Sequence, residues 1–253
     1  MRILRGLMAA FTVACALSAA IATAQAQAPQ TKFSPAQTEA IEAIVRDYLL
    51  RNPELLLELM DKLDRKRDDD ARDKAQVALR ENRDALFKDA DSHVLGPANG
   101  DVTIVEFFDY RCPYCKQMFE PIGKLLKEDR KLRLVLKEFP ILGPDSVIAS
   151  RAAIAARAQG KYIEMHDALM AAKGTLDEAT VLSIAGKVGL DTKRLKTDMA
   201  SPAVERIIQR NTELAKALQI NGTPSFIVGD TIFPGALEPA ALKQMIAELR
   251  KGG

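Results

Sequence analysis

The stretch Val102-Thr103-Ile104-Val105-Glu106-Phe107-Phe108-Asp109-Tyr110-Arg111-Cys112-Pro113-Tyr114-Cys115 limits the possible folds of this chain more than any other. It reads as an apolar strand carrying one acid, then a short turn, then a Cys-x-x-Cys pair opening a helix. The first turn of a helix presents unpaired amides and a partial positive charge. Both favour a thiolate at the first sulfur, so Cys112 is expected to be a nucleophile. Cys115, one turn inside the helix, is expected to be the more buried, resolving thiol. Strand, turn and dithiol together describe a redox site in an α/β fold.

Other uses of a Cys-x-x-Cys pair fit less well. Structural zinc needs four ligands, and His93 and His166 stand far apart in the sequence. A structural disulfide would close a very small loop and remove little entropy from the unfolded chain. Two thiolates can bind copper(I), a soft ion that prefers soft ligands. No other cysteine cluster supports a metal role, and redox exchange is favoured with no metal ligand assigned.

Residues 1–28 read as a secretory signal peptide. Arg2 and Arg5 precede an apolar run from Leu7 to Ile21, and Ala24-Gln25-Ala26 and Ala26-Gln27-Ala28 are small-x-small cleavage patterns. The alternative, an uncleaved anchor, needs roughly 20 apolar residues, and this run is shorter. The chain has 3 cysteines. Cys15 would leave with the signal, so Cys112 and Cys115 remain with nothing to mispair with, which suits work on the disulfides of other proteins in an oxidising compartment. Loss of Arg2 and Arg5 balances the basic residues against the 34 acidic ones, so no basic field points to nucleic acid.

The composition changes near residue 90. Ser34-Pro35 predicts a helix start, and Ile41, Ile44, Val45, Tyr48 and Leu49 recur at helical spacing. Asn52-Pro53 interrupts the helix, with Asn52 placed to cap the next one, where Leu55, Leu56, Leu59, Met60 and Leu63 form a second stripe. From Asp64 to Lys74 nearly every residue is charged. The expected organisation is a helical oligomerisation segment over 29–63, a charged helical linker over 64–90 and a main domain over 91–253. Tyr48, Leu55, Leu56 and Leu59 are expected in a core, made either by self-association or by the helix lying on its own domain.

In the main domain, strands are expected at 92–95, 102–108 and 132–139, a hairpin around Gly229-Asp230, and helices at 112–128, 147–158, 162–172, 179–188, 204–218 and 238–250. A helical block of about 141–218 between strands implies one sheet with an inserted helical subdomain.

These segments resemble the DsbA-like thioredoxin-fold disulfide oxidoreductases of the bacterial periplasm, especially the branch of suppressor-of-copper-sensitivity C proteins. The resemblance rests on Phe107 to Lys116 and on Gly222-Thr223-Pro224-Ser225-Phe226, the family's second signature. It covers about residues 91–250, and the N-terminal helices look like that branch's stalk. It implies a thioredoxin fold with a helical insertion, and a cis-proline at Pro224 facing the cysteines. Read alone, Gly222-Thr223-Pro224 is a loop, and X-Pro bonds are cis in only about 5% of cases. The resemblance also implies substrate contacts at Thr223, Pro224, Pro113 and Tyr114, and a proton relay by Glu106 beneath the buried cysteine. Strand alternation puts Ile104, Glu106 and Phe108 on one face, so Glu106 is expected to be buried with a raised pKa; on an edge strand it would face solvent. Asp109 and Lys116 are expected at the surface, and His93 and His166 without a role.

The function expected is that of a periplasmic protein disulfide isomerase or reductase. It would use no cofactor beyond the Cys112-Cys115 disulfide and act on cysteine-containing proteins. A membrane thiol reductase of the DsbD or ScsB kind would keep it reduced, and it would assemble as a homo-oligomer, a trimer by likeness to the family. A monomeric DsbA-like dithiol oxidase is the alternative within the same chemistry. A copper-handling protein or a holdase is the alternative of another class.

Overall fold

The computed structural model describes residues 33–252, so the signal-peptide reading lies outside the described residues. Backbone contacts divide the chain into two units, one up to Asp64 and one from Arg65 onward.

In the first unit, α1 (Pro35–Arg51) opens on a capping box. Ser34 Oγ accepts from the Gln37 amide, and Gln37 Oε1 accepts from the Ser34 amide at 2.9 Å, which satisfies two otherwise orphaned donors. Asn52 does not cap the next helix as expected. Its Nδ2 donates back to the Tyr48 carbonyl at 2.8 Å, because the free carbonyls at the end of α1 lie within its reach. Helix α2 (Glu54–Glu81) then runs unbroken through the charged stretch. No residue of α1 is buried. Tyr48 is 53% exposed, Leu56 49% and Leu59 57%. Among the described residues, Tyr48, Leu56 and Leu59 thus lack the core expected around them, and Leu55 is only half-buried, since one helix and the start of another cannot enclose their own stripes.

The second unit is a five-stranded sheet in the order β1-β3-β2-β4-β5, formed by β1 (His93–Leu95), β2 (Val102–Phe108), β3 (Leu132–Glu138), β4 (Ser225–Val228) and β5 (Thr231–Pro234). β2 and β3 are parallel and the other pairs antiparallel. Helix α4 (Pro113–Glu128) makes the β2-to-β3 crossover, and helices α5 (Pro144–Ala156) to α9 (Pro202–Ala217) fill the interval between β3 and β4. Both faces of the sheet are covered. Ile104 and Phe108 of β2, with Leu134 and Leu136 of β3, join a core with α4, α5 and α6 (Tyr162–Ala171). Val105, Phe107 and Val135 face a second core with Leu214 and Leu218. Burial on two faces explains the nearly continuous apolar reading of β2 and β3. Gly96 (φ +87) turns the chain after β1 where a Cβ would collide with the Leu132 carbonyl. Helix α8 (Thr192–Met199) was not expected from the sequence. It buries only Leu195 and Met199, too few to show a period.

The segment over 64–90 also contributes to this second core, through Leu79 and Leu86 of α2 and α3 (Arg83–Phe87). Polar contacts hold the segment after α3. The buried Lys137 Nζ donates to the Ala85 carbonyl at 2.7 Å and to Asp89 Oδ2 at 3.0 Å, and Arg210 bridges Asp89 and Asp91. Leu86 is fully buried, so Leu86→Ala is expected to cost about 3 kcal/mol in denaturant unfolding. Leu57, at 68% exposed, serves as the control, with an expected change within about 0.5 kcal/mol.

Candidate active site

Cys112 is the N-cap of α4 and Pro113 its first residue. Proline needs no hydrogen-bond partner there, and its fixed φ suits a helix start. The Cys112 amide donates to the Asp109 carbonyl at 3.0 Å, which folds the turn so that the first sulfur sits over the helix end. On the opposite side, the loop before β4 brings up the Thr223-Pro224 peptide, which is cis. The Cys112 thiol donates to the Thr223 carbonyl at 3.1 Å. Residues separated by 111 positions thus meet at one sulfur. Cys112 is 3% exposed and Cys115 0%; the order is as expected, but Cys112 is more covered, because the Thr223 loop closes over it. Pro113 and Tyr114 lie outside this closure, with Tyr114 60% exposed. Pro224 is buried and Thr223 half-buried. The two sulfurs are unbonded thiols here.

Beneath them lies Glu106, 5% exposed. Burial pushes its carboxyl up to about 8. Burial also pushes the Cys115 thiol up, and the nearby Glu106 carboxylate adds to the rise. A cavity of about 640 Å³ has Glu106, Cys115 and His166 in its wall and runs out to the exposed Asp167. A carboxyl with that pKa is carboxylate in a minority of molecules near neutrality, and in that form it can accept the proton of the neighbouring thiol.

Two expectations are corrected. Asp109 is fully buried, and its carboxylate accepts from the amides of Arg111 at 2.8 Å, Ile141 at 2.9 Å and Leu142 at 3.0 Å. It ties the dithiol loop to the loop after β3. The bond to the residue two positions on is an Asx turn, and that part was readable locally. Lys116 is half-buried and its Nζ donates to the carbonyls of Leu169, Met170 and Ala172. It caps the end of α6 instead of reaching solvent, which satisfies carbonyls that the helix leaves open. Burial draws its pKa down.

His93 and His166, left without a role, both stack on Tyr162. The sequence reading also missed the buried Glu138. Tyr110 and Tyr162 donate to its Oε1 at 2.9 and 2.8 Å, and Ser150 donates to its Oε2 at 2.7 Å. No local spacing signals a cluster drawn from four separate segments.

Comparison with known proteins places this geometry. Residues 103–247 match the DSBA-like thioredoxin domain family. The chain belongs to the DsbA-like thioredoxin family. Both the dithiol and the Thr223-Pro224 loop of this DsbA-like domain fall within the matched residues. Residues 37–69 match a second family, described as the copper resistance protein ScsC N-terminal domain. Among solved structures, the chain is similar to a thioredoxin-like oxidoreductase from Silicibacter pomeroyi DSS-3, with 49% identity and a TM-score of 0.65, covering 67% of this chain and 98% of that one. It is also similar to Proteus mirabilis ScsC in a transitional conformation, with 30% identity and a TM-score of 0.64, over 88% of this chain and 99% of that one. Among curated proteins it is similar to Na(+)/H(+) antiporter NhaA 1 of Salinispora arenicola, 33% identical over 63% of this chain. The chain spans about a quarter of the length of such relatives, 25% in that case. Among the described residues of this DsbA-like chain, no helix is long and apolar enough to cross a membrane.

Proposed function

We propose that the chain is a periplasmic protein thiol-disulfide oxidoreductase that acts as a disulfide isomerase or reductase on misoxidised proteins. The observation that carries the chemistry is the Cys112 sulfur at a helix N-terminus, 3.1 Å from the Thr223 carbonyl, with Cys115 and Glu106 buried behind it. Cys112, as thiolate, attacks one sulfur of a client disulfide. A mixed disulfide forms and the other client sulfur leaves as a thiolate. For reduction, Cys115 gives its proton to Glu106 and attacks the Cys112 sulfur, which closes the Cys112-Cys115 bond and frees the client's second thiolate. For isomerisation, a different client thiolate attacks the mixed disulfide and releases Cys112 unchanged. The Thr223 backbone, with Pro224, Pro113 and Tyr114 around it, receives the client as an extended strand.

The isomerase or reductase reading rests on the N-terminal segment. Its apolar residues are exposed in the single chain, and it resembles the ScsC N-terminal domain. Exposed stripes of this kind bury themselves by self-association, here as a homotrimer. After removal of residues 1–28, 29–63 assembles the trimer and 64–90 joins it to the catalytic domains. A membrane thiol reductase of the DsbD or ScsB kind supplies electrons.

A chain lacking residues 29–64 keeps Leu79 and Leu86, and is expected to be a monomer by light scattering. It should oxidise dithiol peptides at the wild-type rate and lose its shuffling of scrambled ribonuclease by at least about tenfold. A monomer that shuffles at the full rate would rule out the oligomeric isomerase. Thiol trapping in intact cells separates the neighbouring reading. A mostly reduced Cys112-Cys115 pair supports the isomerase or reductase, and a mostly oxidised pair supports a monomeric dithiol oxidase.

A further inference from the structure

Helix α4 carries two apolar stripes. One, made of Cys115, Met118, Ile122 and Leu125, is buried in the core. The stripe beside it, with Phe119 and Leu126, is only half-buried and walls the cavity that begins at Glu106 and Cys115. Leu134 and Leu136 of β3 and Ile163 and Met170 of α6 line it as well. Its lining runs along α4 from Cys115 to Arg130, just past the helix end. That path is roughly 20 Å long at a helical rise of about 1.5 Å per residue. The cavity is therefore a cleft that follows α4 away from the dithiol.

Gly123 keeps the middle of this cleft unfilled. Glycine inside a helix is destabilising relative to alanine, and here no neighbour needs the room. A Cβ at Gly123 would meet nothing within 4 Å, and the residue lines the cleft.

Width and polarity select the occupant. About 640 Å³ spread over roughly 20 Å leaves a cross-section of about 30 Å², too narrow for a helix about 10 Å across. An extended peptide would find no partners for its amides along walls of Leu, Ile, Phe and Met. A single hydrocarbon chain needs neither the width nor the hydrogen bonds.

The two ends of the cleft differ in charge. At the inner end stand the Cys115 thiol and the Glu106 carboxyl, which is 5% exposed and offers no cation to an anionic head. At the outer end Lys124, Lys127 and Arg130 are exposed. Two carboxylates share the rim: Asp167, which interacts with Lys127, and Glu120, a turn nearer the dithiol than Lys124. Lys124 reaches Glu128 at 3.8 Å, an exposed pair that holds it weakly. Arg130 makes no ion pair among the described residues.

We propose that this cleft binds a long-chain fatty acid, with the tip of the chain toward Glu106 and Cys115 and the carboxylate among Lys124, Lys127 and Arg130. The apolar walls supply the affinity, since each buried methylene adds to it. The cations select the head group and the direction of the chain. Binding of this kind needs no redox step, so it goes beyond the reading of Cys112 and Cys115 as an oxidoreductase pair.

The test titrates the full chain with dodecanoate by isothermal calorimetry at neutral pH. One site per chain is expected, with a dissociation constant below about 100 μM. Gly123→Leu puts a side chain into the middle of the cleft and should weaken binding at least about tenfold. Arg130→Glu reverses a charge met by the head and should weaken it at least about threefold. Dodecyltrimethylammonium, with a similar chain and the opposite head, should bind at least about tenfold more weakly than dodecanoate. Dodecanoate that does not bind overturns the proposal. So does binding that survives Gly123→Leu unchanged, because the chain then lies elsewhere, as on the exposed stripe of α1. Equal affinity for the two head groups overturns the fatty-acid assignment. Should Gly123→Leu not fold by circular dichroism, unchanged affinity in Arg130→Glu, a change at an exposed position, overturns it equally.

Discussion

Cys115→Ala will accumulate as a mixed disulfide with client proteins, joined through Cys112 and visible as bands that collapse on reduction. The sulfur that resolves the intermediate from within is then gone, while Cys112 keeps its place on α4 and its contact with the Thr223 carbonyl. Release is left to other thiols, so turnover of a reductase assay should fall by at least about a hundredfold. Cys112→Ala should form no mixed disulfide and show only background turnover, because Cys115 is fully buried with a raised pKa. The same variant separates the enzyme from a binding protein. A holdase would still suppress aggregation of a cysteine-free client after Cys112→Ala. Turnover that survives Cys112→Ala would sink the mechanism.

Glu106→Gln should act on stability and on rate in opposite directions. The Glu106 carboxyl is raised by burial from 4.5 to about 8. The unfolded chain gives up this proton near 4.5, whereas the folded chain keeps it until about 8. Between those values the unfolded state binds fewer protons, so the wild type loses stability as the pH rises. Glutamine does not titrate. The variant should therefore match the wild type near about pH 4 and exceed it by on the order of 3 kcal/mol at about pH 7. Urea unfolding at both pH values checks this, and equal midpoints at neutral pH would show that Glu106 is not held in an apolar site. The rate should move the other way. Without an acceptor for the Cys115 proton, resolution of the mixed disulfide should slow by about a hundredfold.

The local signals were legible wherever one segment carried the whole pattern. The apolar run of β2, the Cys-Pro-Tyr-Cys helix start and the Gly229-Asp230 hairpin are each built from neighbours in sequence, and the structure has β2, α4 and the β4-β5 pair where they were expected. Strand alternation placed Glu106 on the same face as Ile104 and Phe108, and it is buried there. Asp109 and Lys116 were misjudged because a charged side chain in a turn or a first helical turn usually faces water. Here the Ile141 and Leu142 amides and the α6 carbonyls, more than 30 positions away, meet those charges. Tyr48 and Leu56 show the converse: their spacing states that they need cover but not what supplies it.

By itself, the sequence determined the α/β class, the dithiol at a helix N-terminus, the acid on its strand and the two-part organisation of composition. Each of these follows from spacings of a few residues, where backbone geometry alone decides which side chains share a face. Only the tertiary structure decided which distant groups meet those residues: the Thr223 carbonyl at Cys112, the amides of Ile141 and Leu142 at Asp109, and Tyr110, Tyr162 and Ser150 at Glu138. Those partners lie up to 111 positions apart. What joins them is the requirement that buried polar groups be paired once the sheet and its helices close, a condition that exists only in the folded chain.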